Sequence, residues 1–136
     1  VLQKKFITLL KGQVDMTKIL YVEDNEDNVY MLSRRLKRKG FEIVVATDGE
    51  MGVEMASSEK PDLILMDLSL PKMDGWTATK TIKSKSELNK IPIIALSAHA
   101  MEEHKKRALD AGCNDYDTKP VDIERLLEKI NKQLGL

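Results

Sequence analysis

Carboxylate side chains directly follow two short apolar runs in this sequence. Glu23 and Asp24 come after the run at residues 19–22, and Asp67 comes after the run at residues 63–66. Carboxylates that end buried strands repel one another and lose hydration, and a divalent cation would remove both penalties. An all-oxygen set favours Mg²⁺, which keeps part of its water and shares its coordination shell with phosphate oxygens. These residues therefore predict a magnesium site suited to phosphate chemistry.

Two further polar residues, Ser97 and Lys119, follow later apolar runs. Taken singly, each candidate has an ordinary structural explanation, because acids and Ser97 can cap helices and a lysine usually lies at the surface. Their shared position argues against coincidence, since the carboxyl ends of parallel strands meet at one edge of a sheet. We therefore expect Ser97 and Lys119 to lie near the carboxylates.

The elements that must position these residues alternate along the chain from residue 18 onward. Apolar runs occur at residues 19–22, 43–46, 63–66, 93–96 and, more weakly, 115–117. Their hydrophobicity is continuous, which is typical of strands buried on both faces of a parallel sheet. Strands that alternate with helices predict an α/β fold, a single three-layer α/β/α sandwich of (βα)5 type.

Helix signals fill the intervals between the predicted strands. Residues 26–39 begin with two acids, end in a cluster of bases and stop at Gly40, which complements the helix dipole and supplies a left-handed cap. Asp122 is the expected N-cap of a final amphipathic helix. Weaker helices are predicted near residues 49–59, 75–86 and 100–111.

Length and composition exclude other classes of protein. The 136 residues fit one domain, and 22 basic residues balance 22 acidic ones, which gives no electrostatic footprint for nucleic acid or an anionic membrane. Cys113 is the only cysteine, so an intramolecular disulfide and a thiolate cluster are excluded. No apolar stretch approaches the roughly 20 residues that span a bilayer. We therefore expect a soluble protein of the reducing cytoplasm.

Motifs in a fixed order along the chain resemble the receiver domains of bacterial response regulators. They are ILYVEDN at residues 19–25, PDLILMD at 61–67, LPKMDG at 70–75, PIIALSA at 92–98, AGCNDY at 111–116 and TKP at 118–120. The resemblance implies a flavodoxin-like sheet of strand order 2-1-3-4-5 and a role in two-component, phosphorelay signalling. It implies a phosphoprotein switch rather than an enzyme, one that catalyses only its own phosphorylation and dephosphorylation.

The resemblance implies a metal and phosphoacceptor set. Asp67 corresponds to the phosphoacceptor, a nucleophile that forms an aspartyl phosphate. Glu23, Asp24 and Asp67, together with the backbone carbonyl of Ser69, correspond to the ligands of Mg²⁺, for which Mn²⁺ can substitute.

The resemblance also implies the groups that meet the phosphoryl group. The Ser97 hydroxyl, the Ala98 amide and the Lys119 ammonium correspond to its binding groups, and they could neutralise charge on its oxygens. Tyr116 corresponds to an aromatic residue that changes rotamer on activation. The peptide bond between Lys119 and Pro120 is expected to be cis.

The implied partners are a sensor histidine kinase or histidine phosphotransfer protein, and an output protein that binds the face formed by helix 4, strand 5 and helix 5. Direct contact with nucleic acid or membrane is not expected.

Three alternative functions fit the sequence less well than a receiver domain. A phosphohydrolase of the haloacid dehalogenase type would need a second acid where Ser69 stands. An FMN carrier needs a phosphate loop where Glu23 and Asp24 would repel phosphate, and an unphosphorylated pseudo-receiver scaffold would lack active-site residues that this sequence retains.

The first residues lie outside the strand–helix pattern. We interpret residues 1–16 as an N-terminal extension or an expression remnant, and residues 17–136 as the receiver domain. Apolar residues at helical spacing suggest an amphipathic helix within the first fifteen residues, namely Leu2, Phe6, Leu9 and Leu10.

The remaining distinctive side chains are expected to have structural roles. His99 and His104 are five residues apart, which is unsuited to one helix face, so they predict no zinc site and are expected to face solvent. Cys113 is expected to be a buried small hydrophobe, and Trp76 to be a packing residue.

Overall fold

In the part of the chain that the structure describes, five parallel strands form one sheet and five helices cover its faces. The computed structural model describes residues 16–99 and 101–136. The strands are β1 (Lys18–Val22), β2 (Glu42–Ala46), β3 (Leu63–Asp67), β4 (Ile93–Ser97) and β5 (Asp115–Thr118). The helices are α1 (Glu26–Arg38), α2 (Gly49–Glu59), α3 (Gly75–Lys83), α4 (Glu102–Asp110) and α5 (Ile123–Leu134). The order β2-β1-β3-β4-β5 confirms the predicted fold.

Strand pairing explains the continuous apolar runs of the sequence. Leu20 in β1 pairs with Val44 on one side and with Ile64 on the other. Every residue of β3 and β4 is buried. Strands covered by helices on both faces are apolar along their length, and in β3 and β4 only the residues at the carboxyl ends, Asp67 and Ser97, are polar.

Two hydrophobic cores lie on opposite faces of the sheet, because successive strand residues point to opposite sides. Leu20 and Val22 belong to one core, and Ile19 and Tyr21 belong to the other. The second core also contains Leu36 of α1 and Ile130 of α5. Helices α1 and α5 therefore cover the face to which Tyr21 points.

The observed end of helix α3 differs slightly from the predicted one, and polar side chains at both ends of the helix explain its boundaries. Asp74 caps α3 by accepting a hydrogen bond from the Thr77 amide at 2.8 Å. Helix α3 ends at Lys83 rather than near residue 86. The Ser84 hydroxyl donates to the Thr81 carbonyl, and Lys83 Nζ donates to the Ile91 carbonyl at 2.8 Å, so side chains compete with helix continuation there.

The amphipathic helix expected in residues 1–15 lies outside the described residues. Within residues 16–99 and 101–136, no helix is both long and apolar enough to cross a membrane.

Candidate phosphoacceptor and metal site

Three carboxylates converge at the carboxyl ends of β1 and β3. Glu23, Asp24 and Asp67 each place one oxygen within 4.8 Å of the others. Glu23 is 1 % exposed and Asp67 is 4 % exposed, whereas Asp24 is exposed. The sequence analysis expected these residues to lie together, and the strand order brings them together because β1 and β3 are neighbours.

Lys119, which follows β5, reaches across the sheet edge to the carboxylates. Its Nζ lies 2.8 Å from Glu23 Oε1 and 3.3 Å from Asp67 Oδ1. Burial by itself would lower the pKa of Lys119, but the two carboxylates outweigh it and hold the pKa above its ordinary value. The ammonium therefore stays charged and partly balances the acids.

The two buried carboxyl groups cannot both ionise easily. Burial, together with the hydrogen bond and negative charge of Glu23, raises the pKa of Asp67 to about 6 against the opposing effect of Lys119. Burial also penalises ionised Glu23, but hydrogen bonds from the Asp67 carboxyl and Lys119 hold the pKa of Glu23 below its ordinary value. Without a cation, a proton on Asp67 therefore relieves the repulsion between the two carboxylates. A bound cation would relieve the same repulsion with both groups ionised. The oxygen-only donor set fits Mg²⁺.

Close backbone approach fixes the loop after Asp67. A Cβ atom at Gly75 would lie 2.3 Å from the Asp67 carbonyl oxygen, so only glycine allows α3 to begin there. The Ser69 amide donates to Asp67 Oδ1 at 3.3 Å. The sequence shows Gly75 only as the last residue of the motif at residues 70–75. Its steric role depends on the packing of α3 against β3, which the motif does not reveal.

A cleft of about 580 Å³ opens over the carboxylates. Its lining includes Asp67, Ser69, Ala98 and Lys119 besides Glu23 and Asp24. The cleft therefore brings together most of the residues expected to bind metal and phosphate.

Ser97 and Tyr116 do not line this cleft and meet instead at the backbone of His99. Ser97 is buried, and its Oγ accepts a hydrogen bond from the His99 amide at 3.0 Å. The Tyr116 ring is buried, and its hydroxyl donates to the His99 carbonyl. The peptide bond between Lys119 and Pro120 is cis.

The expectation that His104 faces solvent is wrong, whereas His99 is exposed. The His104 ring is half-buried and stacks on the His99 ring with centroids 4.6 Å apart. His99 lies in the loop before α4 rather than on the helix, so the five-residue spacing does not separate the rings. Arg107 lies over the Trp76 ring at 3.8 Å from its centroid, which agrees with a packing role for Trp76.

Two partners of Glu23 were not found by sequence reasoning. The Tyr21 hydroxyl and the Asn28 side-chain amide each lie 3.3 Å from Glu23 Oε1. The available signal was the two-residue spacing of Tyr21 and Glu23, which puts both side chains on one face of a strand. Asn28 becomes a partner only through the packing of α1 against β1.

A parallel sheet of order 2-1-3-4-5 with acids and a lysine at its carboxyl edge places the chain in the flavodoxin-like class of α/β folds. Residues 19–131 match the family model of the response regulator receiver domain. The chain therefore belongs to the response regulator receiver family of two-component signalling.

Curated relatives and solved structures agree with this assignment. The chain is 37% identical over 117 residues to the polar-differentiation response regulator DivK of Brucella anthropi, covering 86% of this chain and 95% of that protein. The receiver domain of sensor histidine kinase PA1611 from Pseudomonas aeruginosa PAO1, with magnesium coordinated in its active-site cleft, is 34% identical with a TM-score of 0.84. That match covers 90% of this chain and 100% of the other.

A further structural match involves a phosphotransfer partner. The co-crystal structure of the Saccharomyces cerevisiae histidine phosphotransfer protein Ypd1 with the receiver domain of Ssk1 contains a chain 32% identical to this one, with a TM-score of 0.82. The match covers 88% of this chain and 90% of that chain. Receiver domains are signalling switches that interact with histidine kinases or phosphotransfer proteins, and this protein is of that class.

Proposed function

We propose that Asp67 accepts a phosphoryl group from a histidine kinase or a histidine phosphotransfer protein. The observation that carries the proposal is the convergence of Asp67 with Glu23, Asp24 and the Lys119 ammonium in one cleft. Asp67 is the buried carboxylate at the end of the central strand β3, and the cleft gives a donor access to it.

The transfer forms one bond and breaks another. An Asp67 carboxylate oxygen attacks phosphorus in line, and the bond from phosphorus to the donor nitrogen of a phosphohistidine breaks. The electron pair of that bond stays on the imidazole nitrogen, and the product is an aspartyl phosphate. Lys119 lies close enough to Asp67 to neutralise charge on the transferred oxygens, and Ala98, whose amide would bind one of them, lines the same cleft.

Glu23, Asp24, Asp67 and the backbone carbonyl of Ser69 would hold Mg²⁺ in this proposal. The bound ion would supply charge neutralisation for the phosphoryl oxygens. The oxygen-only donor set, in which Glu23 and Asp67 are buried, and the raised pKa of Asp67 support the assignment. Mn²⁺ has the same ligand preference and should substitute.

Switching would involve Ser97 and Tyr116 through the backbone that they share. When the Ser97 hydroxyl turns to a phosphoryl oxygen, the His99 amide loses its acceptor, and the carbonyl that anchors Tyr116 is free to move. Tyr116 lies on β5 and the His99 loop leads into α4. The change would therefore reach the surface formed by α4, β5 and α5, where we place the contact with an output protein.

The proposal is tested by incubating the protein with acetyl phosphate and measuring its intact mass. With Mg²⁺ present, we expect the mass of one phosphoryl group to be added, and hydroxylamine to remove it. The Asp24→Ala variant should take up little phosphate, because it lacks a ligand of the ion. Uptake by this variant at the wild-type rate, or uptake by the wild type in excess chelator, would rule out the proposed metal site.

A further inference from the structure

One oxygen of Glu23 is surrounded by hydrogen-bond donors. Lys119 Nζ lies 2.8 Å from Glu23 Oε1, and the Tyr21 hydroxyl and Asn28 Nδ2 each lie 3.3 Å from the same atom. A carboxylate oxygen has about two lone-pair directions, so Oε1 is saturated by these donors. The other oxygen, Oε2, accepts a longer hydrogen bond from the Asn25 amide at 3.5 Å. Oε2 is therefore the oxygen of Glu23 that is open to a cation.

The two neutral donors are fixed by their elements. Tyr21 lies on β1 and Glu23 directly follows the end of this strand, two residues later, so both side chains point to the same face of the sheet. The Tyr21 ring is 1 % exposed, which leaves its hydroxyl no freedom to turn to water. Burial and the neighbouring Glu23 raise the pKa of Tyr21, so the hydroxyl remains a donor.

Asn28 is held by the first turn of α1. Its backbone amide donates to the Oδ1 of Asn25, the N-cap residue, at 2.9 Å. This bond fixes the start of the helix and thereby the position from which the Asn28 side chain reaches Glu23. The two donors therefore come from a strand and a helix that pack against each other.

We propose that Tyr21 and Asn28 are positioning residues that hold Glu23 with Oε2 towards the cation and keep Oε1 hydrogen-bonded when Lys119 moves to the phosphoryl group. The inference rests on the proposed function, because it assigns Lys119 two alternative partners. In the structure Lys119 already contacts both Glu23 and Asp67. Its departure would otherwise leave a buried carboxylate oxygen without a donor, which is unfavourable.

The test measures the Mg²⁺ dissociation constant by calorimetry in the absence of phosphodonor. Tyr21→Phe and Asn28→Ala should each weaken binding about fivefold to tenfold, because each removes one hydrogen bond to a charged group. Tyr30→Phe is the matched control. Tyr30 is exposed and its hydroxyl accepts a hydrogen bond from Arg34 on the same helix, so the Mg²⁺ dissociation constant of this variant should stay within about twofold of the wild-type value.

A second measurement separates positioning from general destabilisation. In a Glu23→Gln background, adding Tyr21→Phe should no longer change the Mg²⁺ dissociation constant, because the positioned carboxylate is gone. The same fold-change in both backgrounds, or unchanged binding in the Tyr21→Phe and Asn28→Ala variants, would overturn the inference. Failure of the wild type to bind Mg²⁺ would instead overturn the proposed function on which it rests.

Discussion

Asp67 is buried beside Glu23, and in the metal-free protein this placement disfavours the ionised form of the Asp67 carboxyl. The folded state holds a proton on Asp67 up to about pH 6, whereas the ordinary value for the carboxyl is 3.8. A raised pKa contributes stability that is present below the unfolded value and is lost as the pH rises through the folded value. Glu23 has a lowered pKa and acts in the opposite sense, but only below its ordinary value of 4.5.

We therefore predict that, in excess chelator, the Asp67 contribution to stability falls as the pH rises from about 4.5 to about 7. The expected fall is on the order of 1–2 kcal/mol in the free energy of unfolding, measured with urea. The contribution is taken as the difference between wild type and Asp67→Asn, so that groups common to both proteins cancel. An identical pH slope in the two proteins would show that Asp67 is not perturbed.

The single thiol should be unreactive in the folded protein. Burial raises the pKa of Cys113 to about 11, despite a contact with Thr79 and the charge of Lys83. At about pH 8 only about one molecule in a thousand carries the thiolate. We expect a thiol reagent to label Cys113 only at the rate of unfolding, and rapid labelling of the folded protein would contradict its burial.

At this scale the sequence located the acids and the lysine but not their neighbours. The carboxylates are visible because they interrupt apolar runs. The two-residue spacing of Tyr21 and Glu23 is visible in the sequence, whereas the bond from Asn28 to Glu23 depends on how α1 packs on β1. His104 was misplaced for the same reason, since a loop residue, His99, covers its ring.

At the scale of elements, the start of α3 lies too close to the end of β3 to admit a side chain at Gly75. A Cβ at Gly75 would meet both the Asp67 carbonyl oxygen at 2.3 Å and the Leu68 Cα at 2.7 Å. These are backbone atoms and cannot turn away. The start of α3 and the backbone of Asp67 must therefore move together.

Gly75→Ala should lower the free energy of unfolding by about 2–4 kcal/mol, because it forces these backbones apart. It should also slow phosphorylation by acetyl phosphate more than the stability loss alone explains. The Thr77→Ala variant is the control, since Thr77 is exposed on the same helix and should change stability by less than about 0.5 kcal/mol. Equal stability of the two variants would contradict the close approach.

Element positions were largely predictable, and their ends were less so. The strands follow from buried apolar runs, whereas the order 2-1-3-4-5 came from the family resemblance, because periodicity does not fix which strands pair. Helix α1 ends at Arg38, one residue short of the prediction, and α3 ends three residues early. The α3 end depends on Lys83 and Ser84, whose side chains bond to carbonyls of a distant loop and of the helix itself.

At the scale of the whole molecule, the described domain has its own cores on both faces of the sheet. We predict that a chain beginning at Met16 has nearly the same unfolding free energy in urea as the full sequence and binds Mg²⁺ equally well, because no described site residue precedes Thr17. A loss of more than about 2 kcal/mol would contradict this, since that magnitude corresponds to burial of at least one large apolar side chain.

The central claim is that Asp67 carries the phosphoryl group, and the most direct measurement is its chemical trapping. After incubation with acetyl phosphate and Mg²⁺, borohydride reduces an aspartyl phosphate to homoserine, which peptide mass spectrometry assigns to a position. We predict homoserine at position 67, and none in the unphosphorylated protein or in the Asp67→Asn variant. Homoserine at another acidic residue in the wild type, or a stable acyl phosphate formed at full yield by Asp67→Asn, would contradict the account.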